Sequence, residues 1–148
     1  MPEKAIVDTS TLIALDKIGL SEILCKIYTE IILPEAVISE FGTPTIDCYS
    51  TKNVKSQLVS LFVSELNLGR GEAEVLALAR ETGIRIIMDD EKARKVAKTL
   101  GLNITGTIGV LLKAEKIGLI NSAYTKVKEL REKGFYVSDE LLEKIASL

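Results

Sequence analysis

Histidine is absent from the 148-residue chain, and that one absence removes Ser-His-Asp and Cys-His nucleophile systems, His-ligated zinc and imidazole general bases. Chemistry is left to carboxylates, hydroxyls, lysine and arginine. Tryptophan is absent too, and four Tyr with three Phe bring the aromatic share to only 5%, which argues against a base-stacking platform. The two cysteines, Cys25 and Cys48, are too few and too unpatterned for a disulfide framework or a zinc knuckle, and reduced, buried thiols are expected. No apolar run approaches the ~20 residues that cross a bilayer, so no membrane association is expected. The opening MPEKAIVD enters a strand directly, without the apolar core or small-residue cleavage site of a secretory signal, and a soluble cytoplasmic protein is expected. The net charge of -2 gives polyanions no general attraction, so nucleic-acid contact needs a local basic patch.

What is present fits one domain over residues 1–148, with 47% hydrophobic and 27% charged residues and a length that buries about 70% of the surface of the unfolded chain. The central stretch from Gly69 to Gly101 reads as a helix from about Glu72 to Glu81, a turn at Gly83, a strand from Ile84 to Met88, and a second helix beginning at Asp89-Asp90. Earlier, Ala5-Ile6-Val7 predicts a strand ending in Asp8-Thr9-Ser10-Thr11, where Thr9 or Ser10 can cap the next helix. A short helix within Gly19 to Tyr28, a strand at Ile31 to Leu33 and a helix from Pro34 to Phe41 follow. Gly42 to Thr51 reads as a loop, and Lys52 to Leu66 as a helix. After Gly101, Leu102 to Ile104 predicts a short strand, Thr107 caps a helix to Lys116, and Asn121 to Lys133 is amphipathic. Phe135 to Val137 reads as a β-like turn into a last helix from Ser138. Strands alternating with helices predict an α/β fold with a mostly parallel sheet of about four to five short strands covered on both faces.

Acidic residues recur at comparable places in that pattern. Asp8 follows the first strand, Glu40 lies late in the helix after the second, Glu72 opens the central helix, and Asp89-Asp90 follow the next strand. Each alone has a plain structural explanation, as a cap, a solvated charge or a partner of the helix dipole. Glu72 shares the face of Leu76 and Ala79, whereas Glu74 is expected to point well away. In a parallel sheet these acids share one edge, where like charges raise each other's pKa or take up a cation. An all-oxygen set suits Mg2+ or Mn2+. Lys92, Arg94, Lys95 and Lys98 form a basic run beside this edge, read either as a solvated face or as a phosphate contact.

IVDTSTLIAL, LPEAVISEF, LGRGEAEVLALA, IRIIMDDEKARKVA and NITGTIGVLL, taken in this order, resemble the successive blocks of small prokaryotic PIN-domain proteins, the fold of toxin nucleases in type II toxin-antitoxin systems. The resemblance runs over essentially the whole chain and implies a three-layer α/β/α sandwich. It implies a metal-dependent endoribonuclease with Asp8, Glu40, Glu72 and Asp90 at the acidic metal-binding and catalytic positions, and Asp89 as their near neighbour, with the choice of ligand between Asp89 and Asp90 left open. Ser10 matches the hydroxyl after the first Asp. Many toxin members carry Asp where this chain has Glu72. Mg2+ or Mn2+, an RNA substrate met by Lys92, Arg94 and Lys95, an antitoxin partner and a homodimer are the implied cofactors and partners. Two other readings remain: a PIN-like binding scaffold without turnover, and a phosphoacceptor receiver domain, which expects its acidic pair after the first strand rather than late in the chain.

Overall fold

The computed structural model describes residues 3–148. Its sheet is built from five parallel strands in the order β3-β2-β1-β4-β5, formed by β1 (Lys4–Val7), β2 (Glu30–Pro34), β3 (Tyr49–Lys52), β4 (Arg85–Ile87) and β5 (Ile104–Thr105). Ala5, Ile6 and Val7 have no exposed surface, and neither do Ile86 and Ile87. Successive strand side chains point to opposite faces, so runs of buried residues mean that both faces are covered and the architecture has three layers.

The covering helices are α1 (Thr9–Lys17), α2 (Ile23–Ile27), α3 (Glu35–Phe41), α4 (Gln57–Leu66), α5 (Arg70–Thr82), α6 (Glu91–Thr99), α7 (Thr107–Lys116), α8 (Ala123–Glu132) and α9 (Asp139–Ala146). The longest, α5, is also the most buried, with Ala73, Val75, Leu76, Ala77, Leu78 and Ala79 all inside, and it packs on β1, β2 and β4. Fully burying residues of the Val and Leu size stabilises by roughly 1.5–3 kcal/mol each, which makes α5 the main anchor of the sheet.

The connection after β1 runs toward β2, whereas the one after β4 runs the other way toward β5. The carboxyl ends of β1 and β4 therefore flank a topological switch point, where open α/β sheets form their ligand crevice.

Several expectations need correction. The segment Gly42 to Thr51 is not all loop, because Tyr49 to Lys52 pairs with β2 as an edge strand. The following helix starts only at Gln57, capped by Ser56, whose hydroxyl accepts from Leu58 N at 3.2 Å. Gly106 rather than Thr107 is the N-cap of α7. Cys25 and Cys48 are joined in a disulfide rather than left as thiols. The bond ties α2 to the residue preceding β3, whose carbonyl in turn accepts Ile31 N at 3.1 Å.

Candidate functional site

The switch point is where the acidic side chains gather. Asp8 directly follows β1 and is only 4% exposed. It stands at the N-cap position of α1 yet makes no capping bond, so the plain reading of Asp8 as a helix cap fails. Ser10 Oγ donates to its carboxylate at 3.3 Å. Burial, and then the negative charges of Glu72 and Glu40, push the Asp8 carboxyl up to about 7 against the pull of the Thr9 N–H and the Ser10 hydroxyl.

Glu72, in the first turn of α5, accepts the Gly69 N–H at 3.2 Å. Its carboxyl is also raised, first by burial, then by the Asp90 carboxylate and by Glu40. Glu40 arrives from α3 through a gap left by a missing side chain, since a Cβ at Gly71 would fall on the Glu40 carboxylate. Asp8 thus feels the charges of Glu72 and Glu40, and Glu72 those of Asp90 and Glu40. None of the ion pairs among the described residues reaches any of them.

The two adjacent aspartates part company here. Asp89 is held on both oxygens by Thr107, which donates its N–H at 2.8 Å and its hydroxyl at 2.5 Å. The Thr107 hydroxyl also lies 3.1 Å from that of the buried Thr11. Asp89 is thereby spent on fixing the start of α7 beside α1. Asp90 caps α6, accepting Ala93 N at 2.9 Å, and its charge bears on Glu72. Asp90 is the member of the pair that joins the cluster.

The basic run on α6 does not form one face. Arg94 turns in, donating to the Met88 carbonyl at 3.0 Å, with its guanidinium close to Asp89 at Gly106. Lys92 reaches the Asn67 carbonyl at 3.4 Å. Lys95 is exposed.

Glu74 corrects another expectation. It is buried, at 6% exposure, and accepts Ala36 N at 3.0 Å and Arg70 Nε at 3.2 Å. The first turn of α3 leaves N–H groups without intrahelical partners, and Glu74 supplies an acceptor from the neighbouring helix. The signal for this lay in the Arg70-Glu74 spacing of four residues just before the apolar run Val75 to Ala79.

Glu72, Asp89 and Asp90, with Ser10, open onto a groove of ≈ 930 Å³ between α6 and the α7–α9 segment. A smaller pocket of ≈ 260 Å³ beside Leu12, Phe41 and Pro44 lies apart from this cluster. Among the described residues no three acidic side chains close into a ready ligand set for a metal. The donor chemistry nonetheless fits a hard divalent cation, because every available group is an oxygen and, among the described residues, none of Asp8, Glu40, Glu72 and Asp90 is ion-paired with a Lys or Arg.

No curated protein is significantly similar to the chain in sequence. The family model described as DUF3368, PIN domain, matches residues 4–148. PIN domains as a class are nucleases that typically work with divalent metals. A match over nearly the whole chain, on a parallel sheet whose switch point gathers the carboxylates, leads to one conclusion: the chain belongs to the PIN-domain family.

Proposed function

We propose that this protein is a Mg2+- or Mn2+-dependent endoribonuclease that hydrolyses phosphodiester bonds at the switch-point cluster. The observation that supports it best is the buried Asp8 carboxyl, raised to about 7 among Glu72 and Glu40 with no basic side chain paired to it. Asp8, Glu40, Glu72 and Asp90 would hold the cation. When bound, it supplies charge neutralisation for the phosphate and lowers the pKa of water.

The chain's own residues do the positioning. Ser10 fixes the Asp8 carboxylate through its hydroxyl, and Asp89, clamped by Thr107, keeps Asp90 at the mouth of the groove. Lys92 and Lys95 sit three residues apart on α6 and can meet backbone phosphates; Arg94 steadies the strand end. A toxin role with an antitoxin across the groove, a homodimer and a cytoplasmic location belong to the same proposal. For membrane spanning, no helix among the described residues is long and apolar enough to cross a bilayer.

A second reading, a PIN-like scaffold without turnover, is favoured by the lack of a ready ligand set among the described residues and by the tie of Glu72 to Gly69. Incubating the protein and Asp8→Asn with single-stranded RNA, with Mn2+ or EDTA, separates the two. Cleavage by the wild type that needs Mn2+ and vanishes in Asp8→Asn is expected. A metal-induced rise in melting temperature without cleavage would leave the scaffold; neither response would end the metallonuclease reading.

A further inference from the structure

The groove lined by Glu72, Asp89 and Asp90 is also lined by an aromatic side chain. The α8–α9 connection contributes Phe135, Tyr136, Val137 and Leu141 to its wall, together with Leu130 of α8. Tyr136 is 91% exposed, more than any other large apolar residue of the described chain. A large aromatic left this bare has surrendered most of the stabilisation its burial would give. Elsewhere the aromatics are covered or partly covered: Tyr28 and Phe62 are buried, and Phe41, Tyr49, Tyr124 and Phe135 pack against the core.

The backbone that presents Tyr136 is held on both sides. Helix α8 ends in a Schellman turn: Gly134 has a φ of +100°, its N–H bonds the Arg131 carbonyl at 3.1 Å, and Phe135 N bonds the Leu130 carbonyl at 3.1 Å. That turn usually brings an apolar contact between the residues in the positions of Leu130 and Phe135, and both line the groove. On the other side Val137 is buried, and the Ser138 hydroxyl accepts Leu141 N at 3.1 Å as the cap of α9. Tyr136 is therefore the free residue of a pinned loop, and ordering it against a flat ligand costs little backbone entropy.

From this geometry we infer that Tyr136, with Phe135 lining the same groove, is a stacking shelf for one base of a single-stranded RNA whose backbone passes the carboxylate cluster. The inference rests on the nuclease reading and adds to it a subsite away from the reacting phosphate. The occupant is a nucleobase because the groove joins a flat aromatic to a site for phosphate chemistry, and a single aromatic suffices for stacking where a whole platform is lacking. One ring reads no sequence, since every base has a π-face.

The test is a coupling cycle with a labelled single-stranded RNA heptamer in Ca2+, its affinity measured by fluorescence anisotropy for wild type, Tyr136→Ala and Tyr136→Trp. Each base is replaced in turn by an abasic residue. Tyr136→Ala is expected to bind the intact strand about 5- to 150-fold more weakly, the loss typical of one stacked base, with Tyr136→Trp near wild type. At one position the abasic strand should cost the wild type a similar factor and cost Tyr136→Ala nothing further. If wild type binds RNA and cleaves it in Mn2+ while Tyr136→Ala binds equally, the shelf is refuted and the nuclease reading stands. Binding that depends on Tyr136 without cleavage by wild type would keep the shelf and sink the nuclease. No binding by wild type overturns the shelf, and a dimer that Tyr136→Ala dissolves in light scattering would assign this surface to a protein partner instead.

Discussion

Replacing Asp8 by Asn should make the metal-free protein more stable at neutral pH, and the gain should depend on pH in a defined direction. The Asp8 carboxyl is raised from its ordinary 3.8 to about 7, chiefly by burial. Between those two values the folded state keeps a proton that the unfolded chain releases. The stability this contributes is therefore complete below pH 3.8 and is lost as pH rises to about 7. A shift of about three units, at about 1.36 kcal/mol each, corresponds to about 4 kcal/mol lost across the window. Asn fills nearly the same space without ionising, so Asp8→Asn should match wild type near pH 4 and exceed it by up to about 4 kcal/mol at pH 8. The raised Glu72 carboxyl acts with the same sign in both proteins and largely cancels in the comparison. Urea unfolding in EDTA, at half-unit steps of pH, reads the difference directly. Equal gaps at pH 5 and pH 8, or a less stable Asn variant at pH 8, would refute the reasoning. Mn2+ at 100 times its dissociation constant should restore roughly 2.7 kcal/mol to wild type and nothing to the variant.

Gly71→Ala places a Cβ on the Glu40 carboxylate; since Glu40 is exposed and can swing away, thermal stability should hold or rise by up to about 1 kcal/mol, while the Mn2+-induced shift in melting temperature shrinks. An undiminished shift would remove Glu40 from the cluster. Glu74→Ala should cost about 1–3 kcal/mol in urea unfolding, because it strands the half-buried Ala36 N–H and frees Arg70; a cost under about 0.5 kcal/mol, the scale of an ordinary surface change, would mean α3 is held otherwise. Reducing the Cys25–Cys48 bond, which spans a sequence separation of 23, should lower stability by about 3.4 kcal/mol on the loop-entropy relation. Equal unfolding midpoints with and without reductant would argue that α2 and the edge of β3 stay docked without it.

The strands that could be read from the sequence are those buried on both faces. Ala5-Ile6-Val7 and Ile31-Ile32-Leu33 are continuous apolar runs because helices cover them above and below. Strand β3 escaped the same reading because Tyr49-Ser50-Thr51-Lys52 is a half-exposed edge with only Tyr49 apolar. The disulfide escaped because the two cysteines meet only when β3 pairs with β2, a long-range register that spacing does not reveal. Asp89 and Asp90 were inseparable in sequence, since what divides them is Thr107, far along the chain, which takes one and leaves the other. Glu74, two positions from Glu72, does fall on the opposite side of α5, but sequence spacing does not say what covers that side. In the fold that side meets the N-terminus of α3.

Helix α5 consequently carries three separate contributions in four residues, Gly71 to Glu74. Gly71 leaves room for Glu40, Glu72 joins the cluster, and Glu74 secures the helix that delivers Glu40. Carboxylates that repel one another drift apart unless rigid elements hold them, and α3, at seven residues, is too short to be stable by itself. Its position must come from neighbours, and the nearest is the best-buried helix of the domain. A substitution that relieves the repulsion at Asp8 should therefore stabilise the fold, whereas one that loosens α5 should lose both the fold's main anchor and the arrangement of the site. Stability and the acidic site are opposed at Asp8 and allied at Glu74, although both residues are acidic and nearly fully buried.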